Sequence, residues 1–430
     1  MLLYIDPGTG SMLFTILIGL FGSLFYSMKI FFMKLKSWIG GGKIEKINRK
    51  IPIVIYSDDK RYWSIFASIC EKLDKLDKEV LYLAASEDDP VFKQEFKNIK
   101  AEFIGKGNKS FFRLNYLNAS IVLSTTPGLG VYQWKRSKNV DYYVHITHAA
   151  SDIAMYRMFG IDYYDALLLS GEYQIHDTRE LEALRNLPAK ELVKVGIPYM
   201  DDMLKRVKKA KPLKDNKTTV LLAPSWGPSA ILSVYGGEII KELLKTGYHV
   251  VIRPHPQSFT AEKDLMDKLM REYPASDKLE WNRDNDNFEV LRRSDVLISD
   301  FSGVIFDFAL VFEKPVIYTN PNFDTSPYDM WWLKRAPWTS SALPRIGREL
   351  TSESFPKIKE LVAECLKDKK LSKSLTEVKK EVWEHVGEGA ERTVQYLTAK
   401  LDEITAKKTP TPKNKKKEKA KQELAQPTSN

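Results

Sequence analysis

Two of the six histidines stand where a parallel sheet would present them to a ligand. His148 follows the run YYVHIT (142–147), and His255 closes HVVIRPH (249–255), between Pro254 and Pro256 and two residues after Arg253. Open α/β sheets bind ligands at the C-terminal ends of their strands, and flanking prolines narrow the backbone choices that aim the imidazole. Imidazole is the side chain whose ordinary pKa suits it to move a proton near neutral pH. A single strand-end histidine is more often a hydrogen-bonded structural residue. Two of them, one in each half of the chain, favour a shared cleft. His145 projects from the same strand as Tyr143 and is assigned to packing.

The third chemical feature is the stretch SDVLISDFSGVIFDFALVFEKPVIY (294–318). An apolar β-type run ends at Asp300-Phe301-Ser302-Gly303, a nearly all-apolar helix continues to about Phe312, and a second strand covers Pro315 to Tyr318. A helix apolar on every face belongs inside a protein. Its start therefore carries the information: small residues there leave backbone N–H groups unpaired at the positive end of the dipole, which suits a phosphate. An ordinary buried βαβ turn capped by Ser302 is the competing reading.

Other chemistries find little support. There is no G-x-x-x-x-G-K-[ST], and Gly128-Leu129-Gly130 is an incomplete dinucleotide fingerprint. No H-E-x-x-H or C-x-x-C occurs, and Cys70 and Cys365 fit neither a disulfide framework nor zinc spacing, so no metal or cofactor is expected. The aromatic loop 320–339, with Phe323, Tyr328, Trp331, Trp332 and Trp338, suits an acceptor groove, a lipid contact or packing at a domain edge.

These residues need two sheets to hold them, and the chain of 430 residues is long enough to supply them. Strands at 51–57, 79–85, 101–105, 120–125, 142–147 and 166–171 alternate with helices near 61–74 and 89–98; a second series opens at 217, with helices near 236–246 and 260–272. The fold class expected is α/β, two Rossmann-like domains facing a cleft, at 51–205 and 206–405, the second ending in a closing helix.

Residues 1–50 read as a transmembrane helix, centred on the uncharged run Met12 to Met28, with a basic juxtamembrane segment, 29–50, that contains a Gly40-Gly41-Gly42 hinge. Lysines after the apolar run place the remaining chain in the cytoplasm of a single-pass membrane protein. From about residue 406 the Lys-rich tail is expected to be disordered. The formal net charge of +10 sits in these flanks, each carrying +6 over 29–50 and 407–430, which leaves the folded body slightly negative. That placement suits an anionic membrane surface and argues against a nucleic-acid groove.

Taken in order, THAA (147–150), VGIPYMDDML (195–204), LLAPSW (221–226), RPHP (253–256), SDVLISDFSGVIFDFA (294–309), PRIGREL (344–350) and GEGAERTVQYL (387–397) resemble the motifs of the CDP-glycerol glycerophosphotransferases of teichoic acid synthesis, of GT-B fold. The resemblance implies a membrane-associated transferase that moves glycerol phosphate, or a related polyol phosphate, from a CDP-linked donor to a lipid-linked or polymer acceptor. It implies His148 as general base, with His255 and the Ser302-Gly303 helix start holding the donor diphosphate. Asp300 and Phe301 would shape the pocket, and Arg253, Ser225 and Trp226 fall in donor-binding motifs. The chain departs from the family pattern at Ala149 (Gly), Tyr199 (Arg), Gly227 (Arg) and Gly303 (Ser). Arg157, Arg253 and Arg335 are the candidates to replace the two absent arginines. A GT-B transferase using a nucleotide sugar, and a degenerate membrane-tethered protein without activity, are the alternatives.

Overall fold

The computed structural model describes residues 49–408 apart from 214–216, 285 and 320–323, together with Met28. The expected membrane helix, most of the basic segment, the triple-glycine hinge, Phe323 and the tail from 409 lie outside the described residues. Among the described residues no helix is long and apolar enough to cross a membrane. Residues 1–50 separate from the unit that begins at Ile51, and the fold below is that of the larger unit.

Two parallel sheets carry it. The first has seven strands, β1 (Ile51–Ser57), β2 (Val80–Ala84), β3 (Ile99–Phe103), β4 (Asn118–Ser124), β5 (Asn139–Ile146), β6 (Ala166–Leu169) and β7 (Glu191–Lys194), in the order 3-2-1-4-5-6-7. The second has six, β8 (Thr219–Leu222), β9 (His249–Ile252), β10 (Leu279–Trp281), β11 (Val296–Ser299), β12 (Val316–Tyr318) and β13 (Gly347–Glu349), in the order 10-9-8-11-12-13. Every pairing is parallel. Central strands such as β2, β6, β8 and β11 are buried along their whole length, because helices cover both faces. Strand order reverses between β1 and β4 in one sheet and between β8 and β11 in the other, which opens a crevice at each switch point.

The helix expected near 89–98 is only one 3-10 turn, Pro90–Lys93. Asp74 accepts the backbone N–H of Lys97 at 3.3 Å and of Asn98 at 2.6 Å, which draws this segment into the extended entry to β3. The Lys-rich stretch 205–217, read as a connection, begins as the end of an amphipathic helix, Pro198–Lys209.

The apolar helix after β11 is buried from Ile305 to Val311 and belongs to a core cluster that also takes in Ala150, Tyr173, Ile197, Met200 and Trp383 from outside the second sheet. The chain passes between the halves twice, side by side. It leaves the first sheet through Gly196 and helix Pro198–Lys209, and it returns through Trp383–Gly389 into the last helix, Gly389–Lys408. That helix, expected to close the second half, packs Ala390, Val394 and Leu397 into the core of the first sheet. Asp201 ties the two passes, accepting from Trp383 Nε1 at 3.1 Å, Gly387 N at 2.6 Å and Gly389 N at 2.8 Å. Gly196 lies at φ +91°, and a Cβ there would stand 2.5 Å from the Glu384 carbonyl oxygen, so the passes meet backbone to backbone.

Candidate active site

The candidate residues collect at the two switch points. Ser225 and Trp226 follow β8, Arg253 and His255 follow β9, and Asp300 to Gly303 follow β11. His148 follows β5 on the other side. The halves touch here: a Cβ built on Gly303 would lie 3.4 Å from the Ala149 methyl, in van der Waals contact. The residue after His148 and the start of the apolar helix therefore share one wall. Two departures from the family pattern meet at this point. The side chain present at 149 is matched by the one absent at 303.

His148 is half-buried, with its ring 5.3 Å from Tyr62 and 5.7 Å from Tyr156. Burial, followed by the Arg61 charge, pushes its pKa down to about 4, while the Thr125 carbonyl works the other way. At neutral pH the ring is uncharged. His145 is fully buried and is also pushed down, to about 3, by burial and then by His148. It does more than pack. The Tyr156 hydroxyl lies 2.9 Å from His145 Nε2 and 3.2 Å from His148 Nδ1, so it joins the two rings. Because a hydroxyl has one proton, it donates to only one of them. If that is His145, His148 Nδ1–H donates to Tyr156 and His148 Nε2 keeps a lone pair. A general base needs that arrangement.

On the other half, His255 Nδ1 accepts the Gln257 backbone N–H at 3.1 Å, which leaves the ring proton on Nε2 as a donor. Burial first, and Arg61 next, bring its pKa down to about 4. Trp226 stacks over it at 6.3 Å and 29°. Asp300 is almost fully buried and accepts from Ser225 N at 2.9 Å and Ile231 N at 3.0 Å. Its carboxylate thus shapes the 225–231 loop, with no atom left over for a donor ligand to displace cheaply. Phe301, Ser302 and Gly303 are half-buried at the helix start. One turn on, the helix widens into a π-helical segment over Asp307–Val311.

The arginines fall differently from expectation. Arg253 donates to Asn282 and, at 2.7 Å, to the Asp284 carbonyl, so it fastens the β9 end to the β10 end. Arg335 pairs with buried Asp177 and donates to the Tyr173 carbonyl at 3.0 Å. The Arg157 backbone pairs with that of Tyr328, where the aromatic loop lies on the first half, and the residue is exposed. The first two connect parts of the protein through their side chains, the third through its backbone. The loop itself is anchored by Asp329, which accepts from Phe159 N at 2.8 Å and Arg185 at 2.5 Å, while Trp331 and Trp332 stay exposed.

The absent arginines are equally informative. Tyr199 donates a hydrogen bond to Asp307 inside the interface between the halves, so its position faces a core carboxyl. Gly227 has φ +99°, a conformation an arginine adopts only with strain. Sequence reasoning also passed over Arg61 and Tyr62, in the turn after β1, and Asp152, which accepts from Trp338 N at 2.7 Å and Thr339 N at 3.0 Å across the halves. Arg61 was discoverable as a cation directly after the first strand. Asp152 and Tyr156 left no local signal.

Residues 161–329 match the family model described as CDP-Glycerol:Poly(glycerophosphate) glycerophosphotransferase. The chain is a CDP-glycerol glycerophosphotransferase-like transferase. The matched segment of this transferase-like chain includes Ser225, His255 and Ser302, whereas His148 precedes it. Among solved structures it resembles the wall teichoic acid polymerase TagF soaked with CDPG, at TM-score 0.54 and 16% identity over 90% of this chain and 98% of that one. It resembles a putative UDP-N-acetylglucosamine 2-epimerase from Listeria monocytogenes about as well, at TM-score 0.54 and 13% identity over 83% and 98%. The UDP-GlcNAc 2-epimerase of Methanocaldococcus jannaschii gives TM-score 0.52 and 13% identity over 82% and 100%. Likeness at this level establishes the fold. No curated protein sequence matches the chain.

Proposed function

We propose that this protein transfers glycerol phosphate, or a related polyol phosphate, from a CDP-linked donor to a lipid-linked or polymer acceptor of cell-envelope, teichoic acid-like polymer synthesis. The uncharged run 12–28 and the basic residues after it favour work at the cytoplasmic face of a membrane, where such an acceptor resides. The observation that carries the reading is the meeting of His148 and the Ser302-Gly303 helix start in one wall, through the Ala149–Gly303 contact.

The acceptor hydroxyl attacks the phosphorus that bears the glycerol. A new O–P bond forms, the bond to the oxygen of the cytidylyl phosphate breaks, CMP leaves, and the hydroxyl proton passes to His148 Nε2. Neutral His148 is able to take it. His255 Nε2–H and the amides at the helix start would meet the phosphate charge that builds in the transition state. Their placement needs no covalent intermediate.

The test is CMP release from CDP-glycerol by the purified protein with native membranes. His148→Ala should lower release roughly 10²- to 10⁴-fold, the usual contribution of a positioned acid or base, with an unchanged melting temperature. Near-normal turnover by that variant removes His148 as the base.

A further inference from the structure

We propose that Arg61 is the diphosphate-binding cation of this site, reaching the nucleotide-linked donor from the first half of the molecule. This rests on the donor reading above and names the residue that supplies its charge.

Arg61 belongs to the 3-10 turn Lys60–Tyr62 directly after β1, at the switch point of the first sheet. Its neighbour Tyr62 lies against the His148 ring at 5.3 Å, and the Ala149 methyl stands 3.4 Å from where a Cβ on Gly303 would be, so the turn and the helix start belong to the same site. The guanidinium is about half exposed, with 49% of its side-chain surface open. Asp59 holds it from behind, accepting from Nε at 2.8 Å, from Nη2 at 3.3 Å and from the Arg61 backbone N–H at 2.9 Å. That clamp fixes the fork and leaves Nη1 without a hydrogen-bond partner among the described residues. A guanidinium so held is preorganised for a phosphate.

The alternatives are committed elsewhere. The Arg253 and Arg335 side chains connect elements of the fold, Arg157 is an exposed residue whose backbone pairs with that of Tyr328, Tyr199 faces Asp307, and position 227 is a left-handed glycine. The charge of Arg61 also lowers the pKa of both His148 and His255, which stand on opposite halves of the cleft. A cation felt by both imidazoles lies where a ligand spanning them would put its phosphates. It adds to the burial that keeps both rings neutral, so base and donor functions stay available beside the charge of Arg61.

The experiment is titration calorimetry of the full chain and its Arg61→Gln and Arg61→Lys variants with CDP-glycerol, CMP and cytidine. Wild type should bind CMP more tightly than cytidine. Arg61→Gln should weaken CDP-glycerol and CMP by roughly 10- to 100-fold, the scale of a charge-assisted hydrogen bond, and leave cytidine unchanged. Arg61→Lys should recover part of the loss, and it preserves the comparison should the Gln variant fold poorly. CMP bound as tightly by Arg61→Gln as by wild type overturns the proposal. A wild type that takes UDP in preference to CDP overturns the cytidine donor instead, and the same comparison made with UDP against uridine then decides Arg61.

Discussion

Tyr199→Phe separates two accounts of position 199: a lost donor-binding arginine, or a strut between the halves. The Tyr199 hydroxyl donates to Asp307, whose carboxyl burial raises from 3.8 to about 7 while this hydrogen bond restrains it. In the unfolded chain the carboxyl gives up its proton near 3.8; in the folded protein it keeps the proton to about 7. The stability it contributes is therefore whole below 3.8 and is lost as pH rises through about 7. At about 1.4 kcal/mol per pH unit, that interval amounts to something on the order of 4 kcal/mol. Deleting the hydroxyl leaves a buried carboxyl without its donor, at a cost of about 1–3 kcal/mol. It also lifts the carboxyl pKa further, so denaturant unfolding should show a larger loss at pH 8 than at pH 5.5. Asp307→Asn should flatten the pH dependence, and Tyr199→Arg, by ionising Asp307, should flatten it between pH 5.5 and 8 and move the loss of stability below the ordinary carboxylate range. Unaltered stability of Tyr199→Phe at both pH values, together with a tenfold higher KM for the donor, would refute the strut.

Two further outcomes follow from the geometry. Tyr156→Phe removes the hydroxyl between His145 and His148, so kcat should fall with little change in donor KM, and the acid limb of the pH–rate profile should move; a rise in donor KM alone would place Tyr156 at the donor instead. Gly196→Ala, at φ +91° and 2.5 Å from a carbonyl oxygen, should cost more than about 1 kcal/mol and lower the melting temperature by several degrees, a result that wild-type stability would contradict.

Much of the architecture could be read because buried parallel strands are continuous apolar runs. IPIVIYS, ALLL and VLIS could hardly be anything else. The strands that escaped notice, β7 (ELVK), β10 (LEW) and β13 (GRE), are short edge strands with charged or exposed positions, whose pairing supplies what their composition does not. The site divides the same way. His255 announced itself through the prolines that fix its backbone, and the helix start through an apolar run broken by small residues. Asp300 looked like a pocket residue because sequence shows a carboxyl beside Ser302 but not the amides of Ser225 and Ile231 that occupy it. Tyr156 acquires its role only when β5 brings His145 and His148 to either side of one hydroxyl. The partner of Asp152 is the backbone of Trp338 and Thr339, 186 and 187 residues later, a separation no local pattern records.

The paired crossing at Gly196–Asp201 and Trp383–Gly389 has a mechanical consequence. One covalent connection would let the halves swivel and slide in several directions. Two parallel passes, laced by a single carboxylate and pressed together at a glycine, act as adjacent knuckles on one pin. Sliding would have to shear both passes and break the lacing, whereas rotation about their common line leaves it intact. The passes by themselves would leave the halves a single angular coordinate, and the ties of Asp152 to Trp338 and Thr339, of Arg335 to Asp177 and of Arg185 to Asp329 would have to yield for that rotation to proceed. Any opening that admits a donor, and any closing that brings Arg61 and Ser302 onto its phosphates, follows the same arc.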